Sequence, residues 1–143
     1  MNLTIVGTGY VGLVTGACFA EFGYSVTCVD NDIKRLEILK SGKCPFFEPG
    51  MDELLDKHIN KTKLITFEST IKNNLDNTDI IFITVGTPTR RLEDEADLSF
   101  VWQVAEEIAE NIKKYCLVVT KSTVPVGTTR EVQKIISNKI DQK

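Results

Sequence analysis

The chain has 143 residues and a net charge of −3, a size that holds one domain with a real hydrophobic core. The slight acidity gives no electrostatic footprint for nucleic acid, and no apolar run approaches the ~20 residues that span a bilayer. On these figures neither nucleic acid nor a membrane is an expected partner, and an ordinary globular domain is.

The first predicted strand is Leu3 to Val6, an apolar, β-branched run short enough to be buried on both faces. Gly7-Thr8-Gly9-Tyr10-Val11-Gly12 follows without a break. Small and apolar residues then continue to Phe22 before Gly23, the pattern of a helix with a glycine stop. A second apolar strand, Val26 to Val29, ends on Asp30. Strand, glycine-rich turn, helix and strand, with an acid 18 positions beyond Gly12, is the arrangement that grips a dinucleotide. Gly7 lets the chain turn out of the strand, Gly9 lets the backbone approach a pyrophosphate, and Gly12 lets the helix pack on the sheet. The free amides around Tyr10 and Val11 face the phosphates at the positive end of the helix. Asp30 is placed to accept both ribose hydroxyls of the adenosine half and to repel a 2′-phosphate, which favours NAD over NADP.

Asn31-Asp32 caps the next helix, with Ile33, Leu36 and Leu39 on one face and a stop at Ser41-Gly42. Arg35 falls in its first turns, on the side of Asp30. Spacing alone leaves it open between a solvated arginine and a ribose contact. The loop from Cys44 to Gly50 is stiffened by two prolines, and Phe46 and Phe47 are read as satellite core in preference to a ligand lid. A short helix is expected from Met51 to Ile59, with His58 on the surface. Lys63 to Phe67 reads as a strand, Ile71 to Leu75 as a short helix, and Asp79 to Val85 as a strong buried strand.

That strand ends at Gly86-Thr87-Pro88-Thr89, which should border the ligand because open α/β sheets bind beyond the carboxyl ends of their strands. Arg90 to Asp97 reads as a solvated connection. Asp97 or Ser99 caps a long amphipathic helix with Val101, Val104, Ala105, Ile108 and Ile112 on one face and Trp102 packing on its flank. A fifth strand, Tyr115 to Thr120, runs into Lys121-Ser122-Thr123, whose hydroxyls point to the same cleft. The last helix, Thr128 to about Ile140, should bury Val132, Ile135, Ile136 and Ile140. Four scattered cysteines form no CxxC pair, and Cys18, Cys28 and Cys116 fall within or beside buried elements. They read as reduced small hydrophobes in a cytoplasmic protein, with no metal site. No secretory signal is visible before the first strand.

The segments GTGYVGLVTGACFAEFG with VDND, PFFEPGMDELL, VGTPT followed by ADLS, and KSTVPVGT run over nearly the whole chain. In this order and spacing the sequence resembles the NAD-binding domain of the UDP-glucose/GDP-mannose dehydrogenase family, and within it the UDP-glucose 6-dehydrogenases. The resemblance implies a Rossmann-type, doubly wound, mostly parallel sheet with helices on both faces, over residues 1–143. It implies oxidation of UDP-glucose to UDP-glucuronate with two NAD in succession, by a longer enzyme that is a homo-oligomer. By position, Tyr10 and Val11 would contact the pyrophosphate, Asp30 and Arg35 the adenosine ribose, and Val85, Gly86 and Thr87 the dinucleotide cleft. Ser122 and Thr123 would reach toward the nicotinamide, and Thr123 is similar to the family threonine that helps position a catalytic water.

The family's nucleophilic cysteine, with its lysine, asparagine and aspartate partners, lies in a later sugar-binding domain that this sequence does not contain. Glu95 stands where the family often has glycine. The expectation is therefore an N-terminal portion that binds NAD and is inactive alone. Its sheet should lack the last strand of the usual order, leaving Tyr115 to Thr120 as an exposed edge. Two other readings remain: the cofactor domain of a dehydrogenase for GDP-mannose or UDP-N-acetyl sugars, and a non-catalytic nucleotide-sensing module.

Overall fold

Each apolar run of the sequence is followed by a crossover, and in the computed structural model, which describes residues 1–72, 74–89 and 96–141, the runs lie parallel in one sheet. The strands are β1 (Asn2–Val6), β2 (Ser25–Val29), β3 (Ile65–Glu68), β4 (Ile80–Ile83) and β5 (Leu117–Thr120). Their order is β3-β2-β1-β4-β5, the doubly wound order expected up to its fifth strand. Val6 stands opposite Val29 on one side and Ile83 on the other, Val29 opposite Glu68, and Ile83 opposite Thr120. All the carboxyl ends therefore line one rim, and the winding reverses between β1 and β4. That reversal opens the crevice in which such sheets bind ligands.

Strand alternation sends side chains into two cores. Leu3, Ile5, Val26 and Cys28 face α1 (Tyr10–Glu21), α2 (Ile33–Lys40) and α3 (Met51–Asp56), meeting Leu13, Ala17, Leu39, Met51 and Leu55. Val6, Val29, Ile81 and Ile83 pack in the second core with residues of α4 (Ser99–Asn111) and α5 (Thr128–Asp141), among them Val101, Ala105, Ile108 and Val132. Thr4, wholly buried on the second face, shares a 2.8 Å hydrogen bond with Thr78, so its hydroxyl is not stranded in the core.

Several expectations are corrected. His58 is not a surface residue but 2% exposed. It lies in a π-helical turn, Lys57–Lys61, that continues α3, and both ring nitrogens are engaged, one by Thr62 at 2.9 Å and the other by Glu21 at 2.7 Å. The described residues of the stretch from Ile71 to Leu75 form turns, not a helix. Asn74 and Thr78 donate to carbonyls three residues back, and Thr70 and Asn74 side chains bond the local backbone, as turn-forming residues do in place of a helix. Ile71 and Leu75 are nonetheless buried.

The last three strands are also shorter than predicted. Lys63 has φ +58°, which takes it out of β3, Asp79, Thr84 and Val85 fall outside β4, and Tyr115 is 91% exposed before β5. Ile140, expected in the core, is 41% exposed. Cys18 is exposed, while Cys28 is buried. Of the Arg90 to Asp97 connection, residues 90–95, including Glu95, lie outside the described residues. Its ends are joined by a Thr89–Ala96 bridge and by the Asp97 amide on the Pro88 carbonyl at 2.8 Å. No described helix is long and apolar enough to cross a membrane.

Candidate dinucleotide site

The turn from β1 into α1 is built on steric necessity. Gly7 has φ +100°, and a Cβ there would stand 2.8 Å from the Thr84 carbonyl oxygen; a Cβ on Gly12 would come within 1.9 Å of the Gly7 carbonyl oxygen. Both glycines are required by the protein's own backbone. Gly9 differs, since an added Cβ would meet nothing within 4 Å. Its open side is where a ligand can approach the chain. The Gly9 side offers no side-chain cap to α1, so the first-turn amides, including those of Tyr10 and Val11, are left for an acceptor from outside the helix.

The loop is tied down from both sides. The Gly7 amide donates to the Val29 carbonyl at 2.8 Å, and the buried Thr84 hydroxyl shares its hydrogen between the Val6 and Gly7 carbonyls at 2.8 Å each. Asp30, 8% exposed at the end of β2, is the densest polar junction. Its Oδ2 accepts from the Thr8 amide at 2.7 Å, the Thr8 hydroxyl at 2.6 Å and Arg35 at 3.2 Å. Its Oδ1 accepts from the Asp32 amide at 2.9 Å. Burial pushes the Asp30 carboxyl upward; the bonds from Thr8 and Asp32 and the charge of Arg35 outweigh that and hold it below its ordinary value. Oδ1 is thus the oxygen with room for a further donor, and the two ribose hydroxyls do not find two free carboxylate oxygens. Arg35 owes its place to the α2 cap, in which Asp32 accepts from the Arg35 amide.

Val6, Gly7, Gly9, Asp30, Arg35, Val85 and Gly86 line one cavity of about 800 Å³, a volume suited to a small-molecule cofactor. Tyr10, Val11, Gly12, Thr87, Ser122 and Thr123 do not line it. The hydroxyls of Thr87 and Ser122 instead lock two loops together, donating to the carbonyls of Thr123 at 2.8 Å and Val85 at 2.7 Å. Thr123 is exposed, in the loop after β5.

Tyr10 is held from α3's side of the sheet. Its hydroxyl donates to Glu48 at 2.5 Å and its ring meets Phe46 at 5.3 Å between centroids. The Glu48 bond raises Tyr10 above its ordinary pKa. Phe46 is therefore packed as read, while Phe47 is 90% exposed.

The cavity is also lined by residues that sequence reading did not single out: Ser69, Thr70 and Lys72 after β3, and Phe100, Gln103, Glu107 and Asn111 on α4. Gln103 donates to Glu107 at 3.0 Å, and Asn111 to the Glu107 carbonyl at 2.8 Å. The signal was present, since positions 100, 103, 107 and 111 form a helical face flanking the apolar stripe. None of the thiols with a shifted pKa is primed for chemistry: burial pushes Cys28 up to about 12 and raises Cys44 and Cys116. Among the described residues, no group of three or more His, Cys, Asp or Glu side chains is placed to hold a metal.

The whole chain, residues 1–143, matches the UDP-glucose/GDP-mannose dehydrogenase family, NAD binding domain. It belongs to that family. It is 49% identical over 136 residues to the UDP-glucose 6-dehydrogenase of Rhizobium meliloti, covering 95% of this chain and 31% of the relative. It is 44% identical to that of Pseudomonas aeruginosa, covering 95% and 30%. Among solved structures, a UDP-glucose dehydrogenase from Pyrobaculum islandicum superposes with a TM-score of 0.90 at 32% identity, over 97% of this chain and 33% of that one. A GDP-mannose dehydrogenase from Pseudomonas aeruginosa gives 0.92 at 31%, over 100% and 33%. The chain thus spans about a third of the length of these relatives, and as an NAD-binding domain it has the Rossmann-type architecture that the resemblance implied.

Proposed function

We propose that this domain is the cofactor-binding part of an NAD-dependent UDP-glucose 6-dehydrogenase that oxidises UDP-glucose to UDP-glucuronate. The observation that carries the cofactor assignment is Asp30, buried and ionised at the end of β2, beside a glycine turn whose open side is Gly9. Asp30 Oδ1 takes the adenosine ribose, Arg35 borders it, and the amides of Tyr10 and Val11 take the pyrophosphate. Val85 and Gly86 wall the cleft, and Thr87, Ser122 and Thr123 brace the loops expected at the nicotinamide end. NAD, when bound, supplies the hydride acceptor. A two-step alcohol oxidation also requires a base, a nucleophile and a sugar pocket, and this domain, which spans about a third of its relatives, supplies the cofactor cradle.

The choice of UDP-glucose is supported by identities of 49% and 44% to enzymes of that name. The superposition on a GDP-mannose enzyme is as close as on a UDP-glucose enzyme, so the shape of this domain does not carry the sugar preference. Four free cysteines support a reducing, cytoplasmic setting.

Calorimetric titration of the 143-residue chain with NAD+ and NADP+ tests the assignment. NAD+ is expected to bind at least about tenfold more tightly, with no NADH formed when UDP-glucose is added to this chain alone. Tighter binding of NADP+, or binding of neither, would overturn the cofactor reading. The sugar is tested on the longer enzyme, by comparing kcat/KM for UDP-glucose and GDP-mannose.

A further inference from the structure

The middle residue of Gly7-Thr8-Gly9 has no part in the steric logic of the glycines, yet Thr8 is wholly buried. It spends both its donors, amide and hydroxyl, on a single oxygen of Asp30 at 2.7 and 2.6 Å. The loop that cradles a pyrophosphate is thereby latched to the carboxylate that meets the ribose. Arg35 reaches the same oxygen at 3.2 Å, and its other terminal nitrogen stands 3.9 Å from Asp32.

Resting on the NAD reading above, we propose that Thr8 is a specificity-determining positioning residue. It pins Oδ2 of Asp30 so that Oδ1 serves the adenosine ribose, and it keeps Arg35 paired and away from a 2′-phosphate.

Two features separate this from a space-filling role. Valine would fill the same volume, so packing alone does not call for a hydroxyl. A carboxylate oxygen with three donors on it, against one donor on its twin, has a defined orientation, because each hydrogen bond to a charged acceptor is stronger than a neutral one. Without the hydroxyl, Oδ2 keeps only the Thr8 amide and Arg35 as donors, so the carboxylate has a looser orientation and Arg35 is less firmly held. Both changes weaken the hold on an unmodified ribose and lower the barrier to a phosphorylated one.

Titration of wild type, Thr8→Val and Thr8→Ser with NAD+ and NADP+ tests this. Thr8→Val is expected to weaken NAD+ about tenfold and to narrow the ratio of NADP+ to NAD+ dissociation constants by about fivefold or more. Thr8→Ser, which retains the hydroxyl, should keep the wild-type ratio. Equal weakening of both nucleotides, with the ratio unmoved, is what a merely structural role produces and would overturn the proposal. Should Thr8→Val fail to fold, the same ratio in Thr8→Ala decides.

A wild type that binds no NAD+ would refute the cofactor reading and leave the latch itself testable. Carbon NMR of the Asp30 carboxyl in the nucleotide-free protein should then show its titration midpoint rising in Thr8→Val. An unchanged midpoint would overturn the latch.

Discussion

Leu3, Ile5, Val26 and Cys28 in β1 and β2 are all at or below 1% exposure, whereas no residue of β5 is buried and Leu117 is 49% exposed. The polar groups differ in the same sense. Around β1 and β2 an ionised carboxylate collects its donors in a buried junction, while the loops beyond β4 and β5 are joined by neutral hydroxyl-to-carbonyl bonds at the surface. Charge-assisted bonds in a dry setting hold geometry firmly, and neutral bonds near water give way more easily. The half of the cleft beside β1 and β2 is therefore preformed, and the other half rests on an edge strand that, among the described residues, pairs with β4 alone.

Removing packing should separate the halves most. Ile5→Ala, at 0% exposure, is expected to cost about 3–4 kcal/mol, and Leu117→Ala at the rim of β5 less than about 1 kcal/mol. Urea unfolding of both variants checks the contrast, and equal costs would break it. Overpacking comes next. Gly12→Ala places a Cβ 1.9 Å from a backbone oxygen, so a destabilisation of about 2–3 kcal/mol and loss of NAD+ binding are expected, seen as a lowered urea midpoint and a flat calorimetric trace.

Acid should act on the buried junction of the first half through Asp30. The Asp30 carboxyl is held below its ordinary value near ~3.9, so its contribution to stability is present above that pH and lost as pH falls through the depressed folded value. The difference in urea midpoint between wild type and Asp30→Asn should shrink below about pH 4; a constant difference down to pH 2 would show that the charge contributes nothing.

The edge should show itself without any change of stability. Sedimentation at rising concentration is expected to reveal self-association that Leu117→Lys suppresses, since a charge on an edge strand blocks pairing. Hydrogen-exchange protection on both edges of β5 in a demonstrated monomer would argue the opposite. The smallest effect belongs to Ser122→Ala, about 1 kcal/mol or less, read as a small drop in the urea midpoint from the loss of its bond to the Val85 carbonyl.

The parts of the site that were legible in the sequence are those set by neighbours along the chain. Gly7, Gly12 and Asp30 announce themselves because strand, turn and helix must follow one another at close range. Gln103 and Glu107 were not singled out, because a polar helix face reads the same in sequence whether it meets solvent or a cleft. What could not be read were meetings between distant residues. Thr84 lies 78 positions from the Val6 carbonyl it holds, Glu48 lies 38 from Tyr10, and Glu21 lies 37 from His58. His58 was misread for this reason, since a polar stretch gives no sign that a carboxylate from another helix will satisfy a buried ring.

By itself the sequence determined the order and type of nearly all elements, the two-sided core and the dinucleotide turn, because hydrophobic periodicity and the backbone limits of glycine act within a few residues. The tertiary structure alone decided which oxygen of Asp30 stays open, which hydroxyls brace loops in place of facing the cleft, and where the sheet ends. Those outcomes depend on sheet register, which brings the ends of β1, β2, β4 and β5 to one rim. Hydrogen bonds are directional over a few tenths of an ångström, and no local pattern in the chain specifies distances that small between residues so far apart.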